Sequence, residues 1–280
     1  MKPNRQRIET SLAVRHVRSI RLAIRGMFNV QQILDAWFSL HDPIDNRDEN
    51  NPNNITASQG RSWAKVQVQV QNTQRLNEAL ARVYADGWAL GNQLSTYDIA
   101  RKVLPKAAPS KKQLLNSLNT NWSKWKPGNR AASLLVSPPN GLKRLLEQRN
   151  VKIQGMTNTA LDRIGTALAE GLLEGSTRRQ IALDLSDIVD DASRALTIAG
   201  TEMRSAVVNA SMDLYQESGV EKVQWLVAEP CDLCMENLEQ SPIGIDEDWI
   251  NGPPPVHPNC MCDISPYVVD TGLFAEQESE

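Results

Sequence analysis

The chain has 280 residues, 30 Lys and Arg against 33 Asp and Glu, a net charge of -3 and an isoelectric point near 5.8. Bulk electrostatics do not draw such a chain to nucleic acid, so any contact of that kind is local, and the length suffices for one large or two modest domains with a real core. No run of about 18 apolar residues occurs and Met1-Lys-Pro-Asn-Arg-Gln-Arg7 lacks the apolar stretch of a signal peptide, which excludes a spanning helix and predicts a protein made and used in cytoplasm.

From about residue 4 to 40, Ile8, Leu12, Val17, Ile20, Ile24, Met27, Ile33, Leu34 and Trp37 recur at helical spacing, with Gly26 as the place for a kink. Lys2, Arg5, Arg7, Arg15, Arg18, Arg21 and Arg25 face a single acid, Glu9, which makes residues 1–26 a basic arm. It reads either as a solvated helix face or as a docking element with few contacts to the body. For docking, the stripe of Ile8, Leu12, Ile20 and Ile24 suits a protein groove better than a phosphate backbone. His41 to Asn54 is dominated by Asp, Asn and Pro with almost no apolar residue, and reads as a linker.

A second long helix is expected from Thr56, as N-cap, to about Leu104, where Pro105 stops it. The alternation Val66-Gln-Val-Gln-Val-Gln71 is a strand pattern, but helical flanks outvote it, and Gly87 and Gly91 are places for a bend. Lys106 to Gly128 reads as loop plus a short helix carrying Trp122 and Trp125. Shorter helices follow: one bearing Leu142, Leu145 and Leu146, one capped by Thr157 or Asn158 and ending at Gly175, and one from Ser176 to about Val189.

The last long helix, about Ala192 to Ser218, has the cleanest stripe: Ala192, Ala195, Leu196, Ala199, Met203, Ala206, Val207, Ala210 and Leu214, closed by Gly219. Small side chains on that face predict close approach of neighbouring helices. Glu202 lies on or beside the stripe and needs a partner, sought at Asn209, on a neighbouring helix or in the backbone that follows, with Arg204 on another side. The fold class is therefore mainly α: a long-helix N-terminal region (1–54) and a multi-helix body (55–219), followed by a small α+β cysteine-rich module (220–270) and an acidic tail (271–280).

Within that module Val223, Trp225 and Val227 alternate along a strand that leads into Cys231, and Ile264 to Val269 suits a closing strand. All four cysteines of the chain lie here, as Cys231-x2-Cys234 and His257-x2-Cys260-x-Cys262. Cys231, Cys234, His257, Cys260 and Cys262 are the candidate metal ligands: Zn2+ takes four thiolate or imidazole groups, usually from paired turns, so one of the five is surplus, His257 or Cys262. Disulfides or buried free thiols are the alternatives, and a reducing compartment favours the metal.

Two enzymatic readings can be weighed. Pro230-Cys231-x2-Cys234 matches half of the zinc deaminase signature, but the upstream His16 and His41 are followed two residues on by Arg18 and Pro43 instead of the required Glu. A zinc-dependent nucleic-acid-processing enzyme needs a His beside the metal in addition to its ligands, and His257 is the one histidine in this half. A zinc-ribbon DNA-binding protein should be basic where it reads a groove, yet 229–262 contains no Lys or Arg.

The ordered series Thr201-Glu202-Met-Arg204, Gly219-Val-x3-Gln224-Trp225, Cys231-x2-Cys234 and Pro-Pro-x-His257-Pro-Asn-Cys260-x-Cys262 resembles the phage Mu F-like minor head proteins, also called head morphogenesis proteins. Trp122-x2-Trp125-Lys-Pro-Gly and Gly141-Leu-x2-Leu-Leu are similar to versions carried by phages of actinobacteria, so the resemblance runs over about 110–270. Met261 stands where the family commonly has Arg, and Val256 where Leu is usual. The resemblance implies a non-enzymatic virion component assembled in the host cytoplasm. It implies several copies in the capsid interior or at the portal vertex, binding portal or major capsid protein, with packaged DNA as a further candidate partner and no membrane role.

Overall fold

The computed structural model describes residues 5–41, 55–104, 127 and 129–268. The expected polar linker, the Trp122 and Trp125 pair and the acidic tail fall outside the described residues. The chain divides into two compact units, one of Met1–Val14, Arg82–Leu145 and Thr197–Glu280, the other of Arg15–Ala81 and Leu146–Leu196. As expected, the structure is mainly helical with a small C-terminal sheet region.

The helices are α1 (Arg5–Arg25), α2 (Val30–Phe38), α3 (Ala57–Gln67), α4 (Thr73–Asp98) with a π-helical turn at Ile99–Val103, α5 (Asn129–Val136), α6 (Asn140–Leu173), α7 (Arg178–Val189), α8 (Ala192–Glu217) and α9 (Asp232–Gln240). The expected kink at Gly26 is a full break: Asn29 caps α2 by accepting the Gln32 N–H at 3.1 Å. Thr56 and Gln59 cap α3 reciprocally, as the sequence suggested for Thr56.

Three local expectations are corrected. The single helix from Thr56 to Leu104 is two helices, because Val68 to Asn72 leave the helical path at the strand-like alternation. Asn72 turns the chain with φ 50° before α4. The break expected at Thr157 is absent, and α6 runs on from Asn140 to Leu173. The cap of α7 is Thr177, not Ser176; its hydroxyl accepts the Gln180 N–H at 3.2 Å.

In the unit of Arg15–Ala81 and Leu146–Leu196, α3 and α6 approach through paired glycines: a Cβ on Gly60 would lie 2.1 Å from the Gly165 carbonyl oxygen. Lys65 and Asp162 flank that contact at 2.7 Å, and Trp37 meets Trp63 edge to face at 4.7 Å. Arg21 holds Asp190 through two bonds of 2.6 and 2.9 Å, and this guanidinium draws the Asp190 carboxyl below its ordinary range.

In the other unit, α4 and α8 pack along a seam of small residues. A Cβ on Gly87 would lie 2.7 Å from the Met203 carbonyl oxygen, and one on Gly91 2.5 Å from that of Val207. The two glycines therefore serve the close approach that the alanine stripe of α8 announced, and they do not break α4, which continues to Asp98. Two buried pairs flank the seam: the Tyr84 hydroxyl donates to Glu202 at 2.6 Å and the Tyr215 hydroxyl to Asp98 at 3.0 Å. Glu202 thus finds its partner on a neighbouring helix, one of the three places proposed for it.

The basic arm is also corrected. Ile8, Leu12, Ile20 and Ile24 are all buried, between 0 and 6 % exposed, so the apolar stripe assigned to an external groove is part of the protein's own core. Glu9 is buried with it and forms an ion pair with Arg204 of α8, itself buried. An apolar stripe on a helix of a large chain is most cheaply covered by the chain itself.

Candidate metal centre

Strand β1 (Lys222–Leu226) is the middle of a three-stranded antiparallel sheet, with β2 (Ile243–Gly244) on one side and β3 (Asp263–Pro266) on the other. Register pairs Val223 with Ile243 on one edge and Trp225 with Ile264 on the other. The alternation of Val223 and Trp225 places both in the core, where Trp225 meets Trp249 at 5.1 Å. Tyr215 and Val208 of α8, together with Val103 and Leu104 after α4, complete that core around Cys234, Cys260 and Cys262.

Helix α9, between the two cysteine clusters, was not anticipated. Proline, glycine and acidic residues dominate 229–258 and no long apolar stripe marks the nine residues from Asp232 to Gln240. Its one sequence signal was Cys231-Asp232, an N-cap position followed by an acid in the first turn. The helix presents Cys231 at its start and Cys234 one turn later, toward the loop that carries His257 and Cys260.

The five candidate ligands come together. The atoms of Cys231, Cys234 and His257 lie within 4.8 Å of one another, as do those of Cys234, Cys260 and Cys262, so Cys234 is common to both groups. From Cys234 Sγ the distances are 3.7 Å to Cys231 Sγ, 3.7 Å to His257 Nε2 and 3.8 Å to Cys260 Sγ. A tetrahedral ion with metal–sulfur bonds of about 2.3 Å places its ligand sulfurs about 3.8 Å apart. The spacing is therefore that of a tetrahedron's edges and far from a disulfide bond, and all four cysteines are free thiols.

Local electrostatics suit thiolate ligation at one position and resist free ionisation at another. The Cys234 backbone N–H, at the start of α9, is the main influence holding the Cys231 thiol below its ordinary range, whereas burial pushes the Cys234 thiol up. A bare thiolate at Cys234 is thus disfavoured, and a cation is the chemical partner that would stabilise it. His257 Nδ1 lies 2.8 Å from the Pro258 carbonyl oxygen. A ring nitrogen facing a carbonyl carries the proton, which leaves the Nε2 lone pair directed at the cysteines. Cys262 Sγ lies 3.9 Å from the Ala228 carbonyl oxygen. The groups can hold a metal ion.

The series Thr201-Glu202-Met-Arg204 holds this loop to α8. The Thr201 hydroxyl accepts at 3.3 Å the N–H of Asn259, which stands at φ 61°. Arg204 donates to the Cys262 carbonyl at 3.1 Å. Sequence reasoning set Arg204 apart from Glu202, correctly, but missed what Arg204 does: it joins Glu9 to the backbone of the cysteine loop. The available signal was Glu9 itself, the sole acid of the basic helix, on the face of Leu12, Ala13, His16 and Ile20.

Residues 162–265, from within α6 to within β3, match the family described as Phage Mu protein F like protein. The matched stretch takes in Thr201–Arg204 and all five donors, so the resemblance drawn from those motifs holds there. No curated protein and no solved structure matches the chain. Among the described residues no helix is long and apolar enough to cross a membrane.

Proposed function

We propose, from a chain that carries a Phage Mu protein F-like segment, that the protein is a minor structural component of a phage head. In this reading it acts at the portal vertex or in the capsid interior, bound to portal or major capsid subunits in several copies. The carrying observation is that the family match spans both the cysteine loop and the α8 residues that hold it, 162–265. Mass spectrometry of purified heads, with and without DNA, tests it: the chain is expected in both. Its absence from both would overturn the reading.

In the same reading the module binds one Zn2+ through Cys231, Cys234, His257 and Cys260, with Cys262 the surplus donor. Support comes from the three tetrahedral-edge spacings around Cys234 and from Cys262 Sγ facing the Ala228 carbonyl. The ion's role is structural: it ties α9 to the His257–Cys260 turn. Elemental analysis of protein purified without chelator is expected to give about one zinc per chain. Zinc retained by Cys262→Ser but lost from Cys260→Ser identifies the set, and the reverse result overturns it.

A zinc-dependent nucleic-acid enzyme has less support, since His257 faces Pro258 through one nitrogen and Cys234 through the other. That leaves it no nitrogen for activating water. A zinc-ribbon DNA reader is disfavoured by a module whose charges are all acidic between 229 and 262.

A further inference from the structure

We propose that the outward face of α1 docks on the acidic face of the cysteine module in a second copy of the same chain, so that copies associate head to tail. The burial of the apolar stripe leaves α1 an opposite face. Arg15, Arg18 and Leu22 follow one another on it at helical steps of three and four, and Leu22 is 48 % exposed. Glu9, the one acid of the helix, is buried against Arg204. Arg21 and Arg25 lie by Asp190, but among the described residues no acid is paired with Arg15 or Arg18.

The module offers the complement. Every charged residue from 229 to 262 is acidic. Hydrogen bonds lay the loop before the prolines along α9: Asn251 Nδ2 donates to the Leu233 carbonyl at 3.1 Å, Gln240 Nε2 donates to the Asp248 carbonyl at 3.0 Å, and Gln240 Oε1 accepts the Ile250 N–H at 2.8 Å. Leu233 and Ile250, 43 and 68 % exposed, are thereby brought to one surface with the exposed Asp248, and Glu239, also exposed, precedes Gln240 at the end of the same helix. Ile250 is an uncommonly exposed side chain for its type.

One face sets cations around an exposed leucine, and the other sets carboxylates around an exposed leucine and isoleucine. A phosphate backbone would answer the first alone and leave its leucine in water. Copies of the same chain answer both faces. In the head-to-tail arrangement each patch meets the other patch of a neighbouring copy, and contacts of that kind lead to a ring or an open chain. The inference does not depend on the head-protein reading, and the test uses the purified chain alone.

Sedimentation velocity at increasing concentration is expected to show species above the 31.2 kDa monomer at low salt, with association weakened about tenfold or more at high salt. Arg15→Glu with Arg18→Glu, and separately Glu239→Lys with Asp248→Lys, are each expected to leave a monomer with unchanged thermal unfolding. An equimolar mixture of the two double variants restores association, since each then meets opposite charge. Three results would overturn the proposal: a wild-type chain that stays monomeric at about 100 µM and low salt, folded variants that still associate, or a mixture that does not. Duplex DNA bound through Arg15 and Arg18 without self-association would instead assign that face to phosphate.

Discussion

The α4–α8 seam and the cysteine module lie in the same compact unit and are held together by opposite means. Along the seam, side chains are removed: Gly87 and Gly91 admit the Met203 and Val207 backbone, and two tyrosine–carboxylate pairs satisfy what polarity is buried. In the module, side chains are added: three short strands and a nine-residue helix meet around a knot of sulfur and imidazole. A small element with a short sheet has too little apolar surface to order itself, whereas two 26-residue helices do not lack for it. The module should therefore be lost by a change at one donor, and the seam only by changes that push its backbones apart.

The largest effect is expected at the module. Cys231→Ser removes one of the donors proposed to hold zinc, and an ion bound there would be what organises 229–265. Limited proteolysis should cut within 229–262 while far-ultraviolet circular dichroism retains most of the helical signal. Loss of helix in parallel with the module would show that the two regions are not separately held.

Next is the link between α1, α8 and the cysteine loop. Glu9→Ala leaves Arg204 buried with its carbonyl contacts and no counter-charge, which costs about 3 to 5 kcal/mol. The double variant Glu9→Leu with Arg204→Met removes both charges and should recover most of that loss in chemical denaturation. A single variant as stable as the parent would mean that water reaches Arg204. This result also bears on the arm: since Ile8, Leu12, Ile20 and Ile24 are core residues, deleting 1–26 should lower the melting temperature sharply, contrary to what its charge alone suggests.

At the seam, Gly91→Ala puts a methyl group 2.5 Å from the Val207 carbonyl oxygen, too close for a backbone that cannot rotate away. Overpacking of this kind costs about 1 to 3 kcal/mol. Zinc content is expected to stay at the parental value. A neutral Gly91→Ala would mean that α4 shifts freely along α8.

What could be read from the sequence follows from the same contrast. The alanine stripe of α8 announced a close contact, but Gly87 and Gly91 read as bends, because a glycine's helix-weakening effect is local and visible while its packing role belongs to a partner helix that is not. The five donors were legible because cysteines cluster against chance and zinc chemistry limits what they do. How the two cysteine clusters are brought together depended on α9, whose polar, proline-flanked sequence gives no periodic signal. The break at Val68–Asn72 was written in the Val-Gln alternation and was outvoted by longer helical flanks. Glu9 was misread because it was counted among charges instead of being placed on a face.

The smallest effect concerns a carboxylate at the edge of the α8 packing. Asp213 lies against Gly141, whose missing Cβ leaves it room: a Cβ there would be 2.3 Å from Asp213 Oδ2. Burial raises the Asp213 carboxyl above its ordinary range, against the opposing pull of Arg144 at 3.5 Å. A raised carboxyl means that the unfolded chain releases its proton first. The contribution to stability is thus intact below the ordinary Asp value and is lost as pH rises through the folded one. Asp213→Asn keeps an acceptor for the Gly141 backbone and forfeits only a half-exposed ion pair of little worth. Its stability relative to the parent should therefore be highest at neutral pH and should fall toward parity near pH 4, with a span under about 1 kcal/mol after screening by solvent. Melting curves of both proteins from about pH 4 to about pH 7 decide it: a variant weaker than the parent by the same amount throughout would mean that Arg144, and not burial, governs this carboxylate.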